Sequence, residues 1–205
     1  MRTRYEGHGK WVAAMTNKVS AERQAIPEVI SLTPARFGDE RGFFSETYSA
    51  AAFAGLGVAA TFVQDNQSLS RPKGVLRGLH FQTPPHAQGK LVRVVRGSIL
   101  DVAVDIRAGS PTFGKHVAVE LSASNWQQLW VPAGFAHGFC TLEDDTEVIY
   151  KVTDYYAPEC DAGIRWDDPA LAINWPVTAG EVILSAKDQK LPLLAEISAP
   201  FTYPC

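Results

Sequence analysis

The stretch GVLRGLHFQTPPHAQGKLVRV, residues 74–94, places one histidine, His80, between Arg77 and Lys90. An imidazole titrates near pH 6.5, so His80 can take up and release a proton near neutrality. A lysine ammonium such as Lys90 can hold a developing oxyanion. Farther along, EVIYKVTDYYAP supplies Tyr150, Tyr155 and Tyr156. A phenol with a pKa near 10 can hand a proton to a strongly basic carbanion, and its ring can stack on a base or a sugar. Taken together these groups suit acid–base chemistry in a pocket that attracts anions. Each also has an ordinary structural role: a hydrogen-bonded core histidine, a packed tyrosine, a solvated Lys90 or Arg77. SETY and VQDN would pass as polar strand or turn residues, and spacing alone leaves both readings open.

The elements that must position these groups are short strands. From about residue 27 onward the chain reads EVISL, RGFFSETYS, ATFVQDNQS, GVLRGLHFQ, KLVRVVRGSILDVAVDIR, KHVAVELS, QQLWVP, GFAHGFCTL and TEVIYKVTDYY. In ILDVAVDIR, Leu100, Val102, Val104 and Ile106 share one face, and Asp101 and Asp105 share the other. RPKG, TPP, AGSPTFG, SASN and VPAG punctuate the joints. Ala50–Gly57 is the first plausible helix, with Gly55 and Gly57 to stop it. Many short strands with regular turns, and no alternation of strand with long helix, predict an all-β sandwich or closed barrel with short peripheral helices. On VLRGLHFQ, residues 76, 78, 80 and 82 share one face, and Arg77 points away unless a bulge at Gly78 intervenes.

VPAGFAHGF refines the class. A Pro-Gly turn feeding a strand that carries His137 is similar to jelly-roll barrels of the cupin type. Metal-binding cupins pair it with an upstream Gly followed by His-x-His and then Glu. Here the equivalent stretch is His80-Phe81-Gln82, no Glu lies between residues 78 and 90, and Lys90 sits near the place of the carboxylate. Gln is a poor transition-metal ligand and an ammonium beside a divalent ion is unfavourable, so no metal site is expected. His86 could be nominated as a second ligand, but it lies in a Pro-rich loop.

The chain has 205 residues and a formal charge of −3, without a basic run, which argues against a nucleic-acid protein. No segment approaches the roughly 18 apolar residues of a membrane span. Cys140, Cys160 and Cys205 fit no zinc or redox spacing and read as reduced thiols of a cytoplasmic protein. Residues 1–24 read as an N-terminal extension, either an arm with Met15 as an alternative start or a strand that docks on a partner subunit. Residues 25–205 read as a single jelly-roll domain.

Ten segments also resemble one family, the dTDP-4-dehydrorhamnose 3,5-epimerases of deoxysugar biosynthesis. They are DERGFFSETY, FVQDNQSLS, GVLRGLHFQ, QGKLVRVVRGSILDVAVDIR, SPTFGKHVAVELS, QLWVPAGFAHGF, YKVTDYYAPE, GIRWDDPAL, INWP and LSAKDQKLP. They run in family order from Asp39 to Pro192, about three-quarters of the chain. The resemblance implies a cupin-type jelly roll, a homodimer with exchanged N-terminal strands, no cofactor, and dTDP-4-keto-6-deoxy-D-glucose as substrate. An epimerase acting at C3 alone is the nearest alternative.

The resemblance also implies roles. His80 matches the general base, Tyr150 the proton donor, and Asp188 the carboxylate that orients the histidine. Lys90 matches the group beside the C4 carbonyl oxygen. Arg41, Glu46, Gln64, Asp65 and Asn66 match nucleotide and sugar contacts. Arg77, His137 and Lys187 match positions mainly for pyrophosphate and sugar. Tyr156 stands where a ring stacks on thymine, and Asp161 replaces an expected Glu in a binding role, one methylene shorter.

Overall fold

The computed structural model describes residues 14–15 and 18–204. Its first strands are β1 (Ala14–Met15), β2 (Val19–Arg23), β3 (Ile30–Pro34), β4 (Phe37–Asp39), β5 (Gly42–Phe44), β6 (Gln64–Ser70), β7 (Leu76–Gln82) and β8 (Lys90–Arg96). The chain continues through β9 (Ser98–Asp105), β10 (Arg107–Ala108), β11 (His116–Ser122), β12 (Gln128–Val131), β13 (Phe135–Thr141), β14 (Thr146–Val152), β15 (Asp161–Gly163) and β16 (Phe201–Thr202). A helix, α1, spans Ala50–Ala54. It ends earlier than the expected Gly57, because the chain turns at Gly55 and Gly57 takes φ +102°, a conformation that favours glycine.

Two antiparallel sheets make the jelly roll. One has the order β1-β2-β3-β12-β8-β14-β6 and the other β11-β9-β13-β7-β15. Val92, Val94, Ile99, Leu121, Leu129, Phe135, Phe139 and Val148 fill the space between them. The outer face of the five-stranded sheet is covered by the C-terminal segment, where Trp166, Leu171, Trp175 and Phe201 meet Leu76, Leu79, Val102 and Val104. The outer face of the larger sheet receives Phe53 of α1 beside Ile30, Leu32 and Trp130. Each such fully buried side chain contributes about 2 kcal/mol.

Because both faces of the five-stranded sheet are covered, the alternation on β9 divides two buried faces rather than core from solvent. Val102, Val104 and Ile106 pack under the C-terminal segment, while Asp101 and Asp105 are also fully buried. Asp105 is satisfied by Arg107, Ser110 and Thr112, as buried charge requires.

β2 pairs with β3, Ala21 opposite Leu32, and buries Val19 and Ala21. The sheet thus begins within the stretch set apart from its sequence as an extension. Three alternating residues are too few to read as a strand without the partner that pairs with them. Residues 1–13 and 16–17, the rest of that expected arm, lie outside the described residues, as does Cys205.

One irregularity matters for function. β13 pairs with β7 as His137 opposite His80 and Phe139 opposite Arg77, so β7 carries an extra residue. Gly78 there has φ +121°. A Cβ on it would stand 2.5 Å from Gly138 Cα, and one on Gly138 would stand 2.7 Å from the Arg77 carbonyl oxygen. Only two facing glycines let the strands approach this closely. The bulge resets the alternation: Leu76, Leu79 and Phe81 face the outer cluster, and both Arg77 and His80 turn inward.

Candidate active site

The inward faces of β6, β7, β8 and β14 open into a cavity of about 230 Å³ at one end of the barrel. His80 lines it from the five-stranded sheet and Tyr150 from the seven-stranded sheet. The two groups therefore enter from opposite walls.

Behind His80 lies Asp188, at the start of a short 3-10 turn, Asp188–Lys190, and 2% exposed. Its Oδ1 is 2.5 Å from His80 Nε2. Burial opposes ionisation of this carboxyl, but the hydrogen bond and charge of His80 outweigh it and hold Asp188 below the usual carboxylate range. An ionised carboxylate only accepts, so Nε2 carries the hydrogen and Nδ1 keeps the lone pair. Tyr150 packs against the inter-sheet core. Burial pushes its phenol above the usual value, with the positive charge of Arg77 opposing. The proton therefore stays on oxygen until a strong base is near.

Lys90, first residue of β8, donates from Nζ to the His80 carbonyl oxygen at 3.3 Å. Burial pushes its ammonium down to about 8, against the attraction of Asp101 and Asp161. On the inner face of the five-stranded sheet, His137 Nε2 lies 2.7 Å from Asp101 Oδ1, both side chains buried. At the rim, Asp161 Oδ2 accepts from Tyr156 Oη at 3.1 Å and from Lys187 Nζ at 2.5 Å. Asp161 raises the Tyr156 phenol by its charge and by that hydrogen bond, and the ring remains largely exposed at the mouth. Gln64 accepts from the Tyr156 backbone N–H at 3.3 Å and donates to Asn66 at 2.8 Å.

Most residues singled out from the sequence thus meet at one place. Gln64, Asn66, His80, Lys90, Tyr150, Tyr156, Asp161 and Lys187 line the cavity; Asp188 and His137 stand behind it. Arg77 lies beside its mouth, 3.4 Å from Ser70 Oγ. Three do not join them. Asp65 points to the outer face of its strand and pairs with Lys151 at 2.9 Å, because its neighbours Gln64 and Asn66 take the inward positions. Arg41 sits in the exposed turn between β4 and β5, paired with Asp39, and Glu46 pairs with Lys18 at 3.0 Å. His86 bonds Asp154 at 3.1 Å rather than any second histidine, and among the described residues no three His, Cys, Asp or Glu side chains are grouped as metal ligands.

Three lining residues, Phe81, Gln82 and Gln88, were not singled out. Gln82 is buried and donates to the carbonyls of His86 and Tyr155 while accepting from the Ala157 N–H. It thereby ties both rim loops to β7. Its shared face with His80 was the signal. Gln88, on the Pro-rich loop, gave none.

A jelly-roll barrel whose mouth sets a carboxylate-backed imidazole against a phenol defines a class of acid–base enzymes. The family model for dTDP-4-dehydrorhamnose 3,5-epimerase matches residues 23–196. The Sinorhizobium fredii enzyme of that description is 54% identical over 87% of this chain and 91% of its own. The Escherichia coli one is 55% identical over 85% and 94%. A Legionella pneumophila dTDP-6-deoxy-D-glucose-3,5-epimerase, solved with dTDP-4-keto-L-rhamnose, superposes with a TM-score of 0.87 at 48% identity, covering 91% of this chain and all of that one. The chain belongs to the dTDP-4-dehydrorhamnose 3,5-epimerase family.

Proposed function

We propose that this chain inverts C3 and C5 of dTDP-4-keto-6-deoxy-D-glucose to give dTDP-4-keto-L-rhamnose, with His80 as base and Tyr150 as acid. The C4 ketone acidifies the hydrogens on both neighbouring carbons. His80 Nδ1 takes a proton from one face of the ring, and the electron pair moves into an enolate whose oxygen lies at the Lys90 ammonium. Tyr150 returns a proton to the same carbon from the opposite face, which inverts it; His80 then gives its proton to solvent, Tyr150 regains one from solvent, and the step repeats at the other carbon. Asp188 holds the imidazole tautomer and steadies the imidazolium. The observation that carries this reading is the entry of His80 and Tyr150 from opposite sheets into one cavity.

The cavity is smaller than the 300–1,000 Å³ typical of drug-sized sites, so it suits the sugar ring alone. The nucleotide would lie across the mouth, with thymine on the exposed Tyr156 ring and the pyrophosphate toward Arg77 and Lys187, while buried His137 would serve the sugar end. Guanidinium donors match phosphate oxygens two at a time.

Arg41 and Glu46 lie outside the cavity of their own chain. They would serve a site in a homodimer that exchanges N-terminal strands. The exposed Phe37, Phe43 and Phe44 on the β4–β5 hairpin support such a contact. Buried, unpaired Cys140 and Cys160 agree with a reducing, cytoplasmic setting, and among the described residues no helix is long and apolar enough to cross a membrane.

NMR of the reaction in deuterated water tests the function. Deuterium should enter at both C3 and C5, with inversion at each. Inversion and exchange at C3 alone would replace this reading by the single-carbon epimerase, and no exchange by folded enzyme would end both.

A further inference from the structure

Asp188 supports His80, but a second buried carboxylate in the barrel has no part in the mechanism above. Asp101, on β9, is fully buried. Its Oδ1 accepts from His137 Nε2 at 2.7 Å, and its Oδ2 has no hydrogen-bond partner among the described residues. A buried carboxylate with one oxygen unpaired is unfavourable unless a positive charge compensates it. Lys90 attracts it through charge alone, with no ion pair between the two. Its ammonium is anchored on the His80 carbonyl. His80 stands opposite His137 on β13, and β13 is in turn paired with β9, Phe139 opposite Asp101.

We infer that Asp101 is a positioning residue for the epimerisation, whose carboxylate keeps Lys90 an ammonium at the substrate's ketone oxygen while orienting His137. This rests on the role given to Lys90 above. Lys90 lies opposite Val131 of β12 and Val152 of β14, against the His80 carbonyl of β7, and shares the cavity with Tyr150 of β14. Its charged neighbours are Asp101 from β9, Asp161 from β15 and Lys187 from the C-terminal segment. Asp161 is already engaged by Tyr156 and Lys187, and Lys187 repels the ammonium. Asp101 is the largest pull against the burial that drives Lys90 down to about 8. An enolate oxygen needs a cation at the moment it forms, and a neutral amine there would offer little.

The test is the pH profile of kcat/KM for deuterium exchange on dTDP-4-keto-6-deoxyglucose by the full chain, wild type against Asp101→Asn and Asp101→Glu. Asn keeps the shape and can still accept from His137, but it lacks the charge. In Asp101→Asn the alkaline limb should move to lower pH by about one unit, so that the loss is about twofold at pH 7 and about tenfold at pH 9. Asp101→Glu, which keeps the charge, should leave the limb in place even where the overall rate falls. The Lys90 side-chain NMR titration should move with the rates. An Asp101→Asn profile lowered in height but with the wild-type limb would overturn the assignment, as would an equal shift in Asp101→Glu. A wild-type chain that exchanges no deuterium would instead remove the epimerase reading on which it rests.

Discussion

His80 and His137 stand directly opposite each other on neighbouring strands, yet each bonds a different buried carboxylate, Asp188 and Asp101. The Asp188 carboxylate holds the first imidazole from behind, at 2.5 Å. It comes from a turn more than a hundred residues away, so His80 gains this partner only where the C-terminal segment covers the five-stranded sheet.

The Asp188–His80 bond makes Asp188→Asn informative. The amide can present N–H to the imidazole and favour the wrong tautomer, leaving geometry nearly intact. Activity should fall about 10³–10⁴-fold, the scale seen when a base loses its orienting carboxylate. Asp188 is held below the usual range in the folded chain, so its stabilising contribution is present above about pH 4 and is lost as pH falls through its lower folded value. Acid denaturation should show that this pH-dependent part is missing in the variant.

Tyr150→Phe separates the two proton transfers. Without the phenol, inversion should slow about 10²–10⁴-fold. His80 can still remove a proton and return one from solvent to the same face. Recovered substrate should therefore gain deuterium without change of configuration. If product and exchange disappear in equal measure, Tyr150 has some task other than delivering the proton.

Lys90 has a signature in stability as well as in rate. With the folded chain releasing this proton near pH 8, exchange activity should fall above that pH, well before the raised Tyr150 phenol ionises. The unfolded chain holds the same proton to about pH 10.4. Between these values the unfolded state binds more protons, so stability should rise with pH through that window. Lys90→Met should accordingly stabilise the chain at pH 7, with the gain shrinking by pH 10, read from urea midpoints at both.

Much of this was legible locally. The strands around the site follow from alternation and from turn residues at their ends, and His80, Lys90 and Tyr150 stood out by chemical type on those strands. Two things were not local. Whether Arg77 joins His80 on one face depended on the bulge, and the bulge depends on Gly138 of another strand meeting Gly78. That the polar face of β9 is buried was not legible either, because nothing nearby announces that the sheet is covered on both sides. Arg41 and Asp65 mark the opposite limit: motif membership does not say which way a side chain points, and here they pair with Asp39 and Lys151.

The last prediction concerns that glycine pair. Gly78→Ala would put a Cβ 2.5 Å from Gly138 Cα and 2.8 Å from the His137 carbonyl oxygen, at a backbone φ of +121°. Neither atom belongs to a flexible side chain, so the strands must separate or the bulge must rearrange. The change should cost about 3 kcal/mol or more, a fall in Tm of roughly 6–12 °C for a chain of this size. Gly180, with nothing within 4 Å of its added Cβ, is the control, and Gly180→Ala should stay within about 0.5 kcal/mol of wild type. Because the bulge also turns His80 into the cavity, whatever folded Gly78→Ala enzyme remains should lose deuterium exchange more than it loses nucleotide binding. A Gly78→Ala chain with wild-type Tm and wild-type exchange would mean that the close approach of β7 and β13 does not set the base.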